Sequence, residues 1–376
     1  RLIKTFNNTE IVNVINELYS DDAIDFLSDM PANLVTQLLD KVDDGVRKDI
    51  NHLLKYKDDT AGSIMTVEFI EFTKEMTVAD ALAKIKRVGI DSETVYTCYV
   101  VENRKLIGIV SAKSLMLSDS EVPIKDIMKT EFIYAYTGDD KEDIAKKMKK
   151  YDLIALPVLD VENCIVGIVT FDDAIDVLTE ETTEDMNLLG GVGSEERLDS
   201  TLVESFKNRI PWLIVNLFTA IMASSVVSVF EGTIAKVVAL ATISPIITGM
   251  GGNAGTQTLT IVVRGLSLGE LDKENARKVL LKEIGLGILN GVIIGALVSA
   301  GAWFFAGNPW FGVVAGLAMI CNMIVATLAG YFVPVILDRF HVDPALASGV
   351  FVTTCTDMFG FFAFLGLATI LMSHLL

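Results

Sequence analysis

Cysteine and histidine are scarce in this chain. Its 376 residues include four cysteines, Cys98, Cys164, Cys321 and Cys355, and no two form a C-x-x-C pair. That argues against a zinc or dithiol framework and suits reduced thiols in a cytosolic setting. The three histidines, His52, His341 and His374, are scattered, and no H-E-x-x-H occurs. A zinc hydrolase is therefore not expected. Positive charge is short as well: 31 Lys and Arg stand against 49 Asp and Glu, for a net charge of −18. A phosphate backbone needs a basic footprint, so nucleic acid is not an expected partner. The opening "RLIKTF" is polar and charged, so no secretory signal is expected.

The charge deficit is unevenly spread. Residues 210–376 carry seven Lys/Arg and eight Asp/Glu, which leaves 24 basic and 41 acidic groups, net −17, on the first 209 residues. Yet 51% of the chain is hydrophobic. An acidic soluble half is joined to an oily half, so more than one domain is required. An acidic surface either attracts cations or simply keeps the domain in solution.

A membrane-spanning helix needs roughly 20 mostly apolar residues. Five stretches qualify by eye: about 210–230, 234–263, 284–305, 311–337 and 348–373. Lys207 and Arg209 precede the first span. Arg264, Lys273, Arg277, Lys278 and Lys282 lie between the second and third, and Arg339 between the fourth and fifth. The opposite loops offer only Lys236. Basic residues mark the cytoplasmic side. The reading is a multi-pass protein of the cell membrane, surrounded by lipid, with cytoplasmic N-terminal domains and its C-terminus outside. Five spans are few for a pore, which points to two copies.

Gly285, Gly287, Gly291 and Gly295, with Ala315, Gly316, Ala326 and Gly330, suit close helix packing. Two features need more than packing. "SPIITGMGGNAGTQ" (244–257) places a proline, four glycines and two amides inside an apolar run. Irregular backbone at that depth is tolerated where it lines a cavity, so a broken second span with free carbonyls is expected. Asn253 and Gln257, four apart, share a face that meets either a hydrated ion or a second copy. The other feature is Asp357, the acidic residue deep in "VFVTTCTDMFGFF". A carboxylate in hydrocarbon costs roughly 3 kcal/mol or more and faces a cavity or a partner. No Lys or Arg lies at that depth. Asp357 therefore contacts an ion or, as the alternative, is a neutral acid hydrogen-bonded to Thr354. Thr353, Thr354 and Thr356 add oxygen ligands, through carbonyls too if the helix is loosened there. Oxygen-only donors suit Mg²⁺ or Ca²⁺.

The acidic half contains a repeat. "IMTVEFI" (64–70) matches "IMKTEFI" (127–133), and "LIGIVSAKSLM" (106–116) matches "IVGIVTFDDAI" (165–175). Each unit reads as strand, helix, strand, strand, helix. Tandem units of this kind resemble a pair of CBS domains, modules that often bind adenosine nucleotides or sense ions. Thr170 and Asp173 fit the T-x-x-D ribose pattern of some CBS domains, which would admit ATP. The first unit has Ser111 and Ser114 instead. Residues 1–60 read as short amphipathic helices with Thr9 and Asp21 as caps. In "FDDAIDVLTEETTEDM", Asp173, Asp176, Glu180, Glu184 and Asp185 fall at helical spacing with few cations between them. Like charges so placed destabilise a helix, so bound divalent cations are the favoured reading over plain solvation.

Together these pieces closely resemble the MgtE family of magnesium channels. "SPIITGMGGNAGTQT" (244–258) and "DPALASGVFVTTCTDMFGFFAFLGLA" (343–368) carry the resemblance, supported by "YKDDTAGSIMT" (56–66) and "TEETTEDM" (179–186). It implies a multidomain protein. A cytosolic α-helical N-domain (1–60, incomplete) precedes an α/β tandem CBS pair (61–122 and 123–178). An acidic connecting, or plug, helix and linker follow (179–209), then an all-α membrane domain of five spans (210–376). It implies a homodimer with spans two and five lining one pore. The family's pore acid falls on Asp357, and Thr353, Thr354 and Asn253 are the expected neighbours. Cytosolic Mg²⁺ sites fall on Asp59, Asp140, Glu142, Asp152, Asp173, Asp176, Glu181, Glu184 and Asp185. Lys55 stands where some members have a second N-domain acid. The expected function is Mg²⁺ uptake gated by cytosolic Mg²⁺, with Mn²⁺, Co²⁺ and Ca²⁺ as further candidate ions, and no enzymatic activity. The alternatives are a nucleotide-regulated carrier exchanging Mg²⁺ for Na⁺ or H⁺, an intramembrane metalloprotease, and a non-transporting sensor. The protease lacks membrane histidines, and an anchor needs no Asp357.

Overall fold

Apolar residues at three- and four-residue spacing close the N-terminal segment into four helices, α1 (Asn8–Glu17), α2 (Ser20–Ser28), α3 (Ala32–Leu39) and α4 (Asp44–Leu53). Ile11, Ile15, Ala23, Leu27, Leu38 and Ile50 bury their side chains together. Each large aliphatic group so buried contributes about 1.5–3 kcal/mol before entropy. The structure is a computed structural model and describes residues 7–28, 30–272, 274–347 and 349–375. The caps differ from the sequence expectation. Asn7, not Thr9, caps α1, in a reciprocal box with Glu10. Asp21 lies inside the first turn of α2 and is buried.

The repeat appears twice with one topology. β1 (Glu71–Phe72), α5 (Val78–Val88), β2 (Thr97–Glu102), β3 (Lys105–Ser111) and α6 (Ala112–Leu117) form the first unit. After the short α7 (Ile124–Ile127), the second has β4 (Ala135–Tyr136), α8 (Lys141–Tyr151), β5 (Ala155–Leu159), β6 (Ile165–Thr170) and α9 (Phe171–Leu189). Each sheet pairs its first strand parallel and its third antiparallel to the middle strand. The two repeats also exchange segments. Thr66 bridges Ile168, and Ile109 bridges Lys129. The "G-I-V" glycines permit this: a Cβ on Gly167 would lie 2.8 Å from Thr66 O, and one on Gly108 3.0 Å from Lys129 O.

The chain divides into two compact units, Arg1–Glu181 and Thr182–Leu376. In the second, α10 (Leu202–Val229) begins at a Thr201–Glu204 capping box. It is followed by α11 (Glu231–Lys236), α12 (Ala239–Ser267), α13 (Ala276–Ala306) and α14 (Pro309–Arg339). A 3₁₀ turn (Pro344–Ala347), α15 (Gly349–Ile370) and α16 (Met372–Leu375) complete it. The α14 helix is the central one, buried along most of its apolar stretch, whereas α10 is exposed along nearly all of its own.

Four helices, α10, α13, α14 and α15, are long and apolar enough to cross a membrane, where the sequence suggested five. The α12 helix spans 29 residues, but its glycines, threonines and amides dilute its hydropathy. Nor is it broken where expected. All of 244–257 is helical, Pro245 included. Ser244 Oγ donates to Leu240 O at 2.9 Å, and Thr248 Oγ1 to Ser244 O at 3.3 Å. The break lies earlier, at Val237 between α11 and α12. Hydroxyls of α12 itself bond to carbonyls around the proline, and the carbonyls remain within a regular helix.

Small residues let α12, α14 and α15 approach closely. A Cβ on Gly330 would meet Gly255 O at 2.5 Å, and one on Gly255 would meet Val352 Cγ1 at 2.6 Å. Gly330→Ala must push α12 and α14 apart, at about 1–3 kcal/mol. The expected result is a melting temperature several degrees lower for the purified protein; an unchanged value would contradict the packing. Asn322, fully buried on α14, reaches into the space over Gly251 and donates to Ile247 O at 2.9 Å.

Candidate functional site: a membrane carboxylate and two cytosolic carboxylate clusters

Asp357 sits half-buried in the middle of α15. Among the described residues, no hydrogen bond or ion pair reaches its carboxylate. The neutral-acid alternative needed Thr354 as partner. Instead Thr354 Oγ1 donates to Val350 O at 2.5 Å, Thr353 Oγ1 to the same carbonyl at 3.1 Å and Thr356 Oγ1 to Thr353 O at 2.9 Å. The α15 helix is continuous, so its threonine carbonyls are not loosened as the sequence reading allowed. The hydroxyl oxygens keep lone pairs free to accept.

The α12 helix has two unlike faces. Ile243, Ile247, Leu259, Val262 and Val263 are buried, while Thr242, Asn253, Thr256, Gln257 and Thr260 are exposed. Thr353 lies against Gly252, where a Cβ would meet its Cγ2 at 3.3 Å. This sets Asn253 beside the α12–α15 contact that carries Asp357 one turn on, although no hydrogen bond joins the two side chains. Amides turned toward hydrocarbon are costly. A water-filled path or a second copy would satisfy them.

Sequence reasoning missed Glu283 here. It is nearly fully buried on α13 and accepts a hydrogen bond from Thr258 Oγ1 of α12 at 3.1 Å. It also missed Asn322. Neither residue stands in a motif; each is defined by what packs over it.

In the cytosolic unit the expected carboxylates fall into separate groups. Asp59 pairs with Lys141 at 2.8 Å, and the same ammonium reaches Glu180 at 3.7 Å and Glu181 at 3.9 Å. Burial pulls the Lys141 pKa down, but Asp59 and the two glutamates outweigh it and hold the pKa above its ordinary value. This corrects the view of α9 as an acidic face short of cations, because α8 supplies one. Asp140 caps α8 by accepting from Glu142 N at 2.9 Å. Glu142 pairs with Lys146 at 2.7 Å. Asp152 is exposed, at the left-handed end of α8. Asp176 is exposed on α9, and Asp185 accepts from Ser267 Oγ at 3.0 Å. Glu184 is half-buried on α9.

Asp173 belongs to another cluster, with partners that the sequence reading did not single out as ion ligands. Its hydroxyl neighbour Thr170 donates to both Asp172 and Asp173. Asp21 and Asp22 of α2, Glu68, and Glu93 of the α5–β2 loop act on it or on one another. Burial, then the charge of Asp173, pushes the Asp21 carboxyl up to about 8. Burial, then Asp172, raises Glu93 to about 7. Burial raises Asp173 to about 6 against the pull of Thr170. Asp21 and Asp22 were disguised because acids in a first turn are ordinary helix-stabilising residues. Among the described residues, no three His, Cys, Asp or Glu side chains converge tightly enough to enclose a metal ion. Mg²⁺ commonly keeps several waters and takes one or two carboxylates, so these oxygen-only groups still fit it.

The folded values lie above the ordinary 3.8 of an aspartate. The folded unit therefore binds more protons than the unfolded chain across the range from there to about 8. That stabilisation is fully present at the acid end and is lost as pH rises through the folded values. In metal-free buffer, amide exchange in α2 and early α9, corrected for its intrinsic rate, should quicken between about pH 5.5 and pH 8.5. Exchange that ignores pH would show that these carboxylates do not share one environment.

Comparison with known proteins supplies the family. The MgtE profile, described as a divalent cation transporter, matches residues 244–367. The MgtE intracellular N domain matches residues 1–59, and the CBS domain matches 61–121 and 124–180. The magnesium transporter MgtE of Enterococcus faecalis is 36% identical over 87% of this chain and 72% of its own length. That of Bacillus subtilis is 33% identical over 98% of this chain and 82% of its own. That of Thermus thermophilus is 36% identical over 89% and 75%. With relatives at this identity along most of both lengths, the chain belongs to the MgtE family of divalent cation transporters.

Proposed function

We propose that the chain moves Mg²⁺ through a membrane pore made by two copies, each contributing five spans: the four apolar helices and α12. The observation that carries this is the Asp357 carboxylate, without a partner among the described residues, one helical turn from Thr353, which lies against Gly252 of α12. Mg²⁺ sheds water reluctantly. Two symmetry-related Asp357 carboxylates hold it with part of its shell, while Asn253, Thr353 and Thr354 accept or donate to that water. The N-terminal domains lie in the cytoplasm and the C-terminus outside, in line with the distribution of basic residues.

Gating uses the carboxylates of the cytosolic domains. At high internal Mg²⁺ the acidic groups of α2, α8 and α9 are neutralised and pack. At low Mg²⁺ they repel and loosen, so the ion favours the state that binds it better. The end of α9 offers the coupling: Leu188 packs with Leu259 and Val263 of α12 and Val352 of α15. Mg²⁺ uptake into proteoliposomes, with the Mg²⁺ on the cytosolic face varied independently, tests the reading. Uptake indifferent to that Mg²⁺ removes the gate, and no uptake at all removes the transport.

A further inference from the structure

The buried Glu283 carboxylate belongs neither to the ion path nor to the cytosolic clusters. It ties together two helices that otherwise touch little, because α12 and α13 each pack mainly on α14. Small residues set those two seams. A Cβ on Gly287 of α13 would meet Thr327 Oγ1 of α14 at 2.5 Å, and one on Gly330 of α14 would meet Thr258 Cβ of α12 at 2.9 Å. One turn before Gly287, Glu283 Oε2 accepts from Thr258 Oγ1 at 3.1 Å, and each of the two residues is 4% exposed. Glu283 Oε1 lies 3.5 Å from Lys282 Nζ, on a side chain that is largely exposed. Among the described residues, the Thr258–Glu283 bond is the one side-chain hydrogen bond between α12 and α13.

An apolar side chain would fill this seam with less desolvation. What the carboxylate adds is direction: a hydrogen bond is angle-dependent, and one to a charged group is stronger than a neutral one. It fixes the rotation of α12 about its own axis. The bond also sits where the gate bears. Leu259, next to Thr258, packs with Leu188 at the end of α9 and with Val352 of α15. At the N-terminal end of α12, an apolar cavity of about 380 Å³ opens between α12, α13 and α14, lined by Ile243, Ile246, Val298 and Phe305. The α12 helix is thus tied to α13 beside its contact with α9 and has room at its far end.

We propose that Glu283 is a positioning residue of the gate. Through Thr258 it holds α12 in the orientation that the end of α9 packs against, and so sets how much internal Mg²⁺ is needed to stop uptake. This role rests on the Mg²⁺-gated uptake proposed above.

Uptake into proteoliposomes, with the Mg²⁺ on the cytosolic face varied, reads the half-inhibiting concentration. Thr258→Val keeps the shape and removes the donor, and Glu283→Ala removes the acceptor. Each should raise the half-inhibiting concentration about tenfold, because the packed state loses a bond to a charged group. The double variant should shift it no further than either change alone. Thr258→Ser and Glu283→Gln keep a donor and an acceptor, and should stay within about threefold of the parent. A merely structural role would lower the amount of folded protein without moving the half-inhibiting concentration of what remains. Thr258→Val, being close in shape to the parent, keeps the test available if Glu283→Ala does not insert. The role is overturned if the Thr258→Val curve overlays the parent's, or if the double variant shifts the curve by the product of the two single shifts. It is also overturned if Glu283→Gln shifts the curve as far as Glu283→Ala. A parent curve that is flat before any substitution removes the gate itself, which is a different failure from a graded parent curve that the variants leave unmoved.

Discussion

Asp357→Ala should abolish Mg²⁺ flux while the helices stay folded. Among the described residues the carboxylate has no partner to lose, so its removal leaves no orphaned buried group there. Alanine is also the best helix former, which favours an intact α15. The whole effect then falls on the ion. A fixed negative charge in a low-dielectric wall attracts a divalent cation far more strongly than water does. Without it, dehydration of Mg²⁺ is uncompensated. Uptake at least about 100-fold below the parent is expected, a barrier increase of about 2.7 kcal/mol or more. Asp357→Asn keeps the shape and removes the charge, so it should fail nearly as badly. Normal uptake by either variant, at matched insertion into the liposome, would sink the assignment of Asp357 to the ion path.

The second large effect concerns regulation. Neutralising Asp173, Asp176 and Glu184 together (D173N/D176N/E184Q) should leave uptake intact but weakly inhibited by internal Mg²⁺. The three residues lie on α9, whose last turn packs against α12 and α15. Removing three carboxylates per chain takes away ligands through which Mg²⁺ favours the packed state, while the remaining acids of α2, α8 and α9 still repel one another and open it. The half-inhibiting Mg²⁺ concentration should rise at least about tenfold, or 1.4 kcal/mol of lost coupling. The two variants separate cleanly: the first loses flux at every Mg²⁺ level, the second loses only its dependence on internal Mg²⁺. An inhibition curve that overlays the parent's would remove these carboxylates from the gate.

Much of the architecture was legible in the chain. The matched strings "IMTVEFI" and "IMKTEFI" announced the repeat, because strand and turn positions must recur when a unit is copied. The four short helices ahead of it were readable from apolar spacing, which depends only on helical geometry. Asp357 stood out in the sequence because a lone acid in an apolar run has few physical explanations. The α12 stretch misled: proline and glycines lower intrinsic helix preference, yet α12 is continuous. Its neighbours α14 and α15 approach through Gly255 and Gly330, and packing outweighs local propensity. The same polarity that drew attention to the stretch keeps α12 below the hydropathy of the other four helices.

By itself, the sequence determined the class of chemistry: oxygen donors, an excess of negative charge, and a charged residue at membrane depth. Those follow from composition and order, which folding does not change. Only the tertiary structure decided which acids meet. Asp21 and Glu93 join Asp173 from elements about 70 to 150 residues apart in the chain, while Asp59 and Glu181 are bridged by Lys141 instead. The physical reason is range. Helical and strand periodicity constrain neighbours in sequence, whereas charge interactions act through space and depend on burial, which no local pattern records.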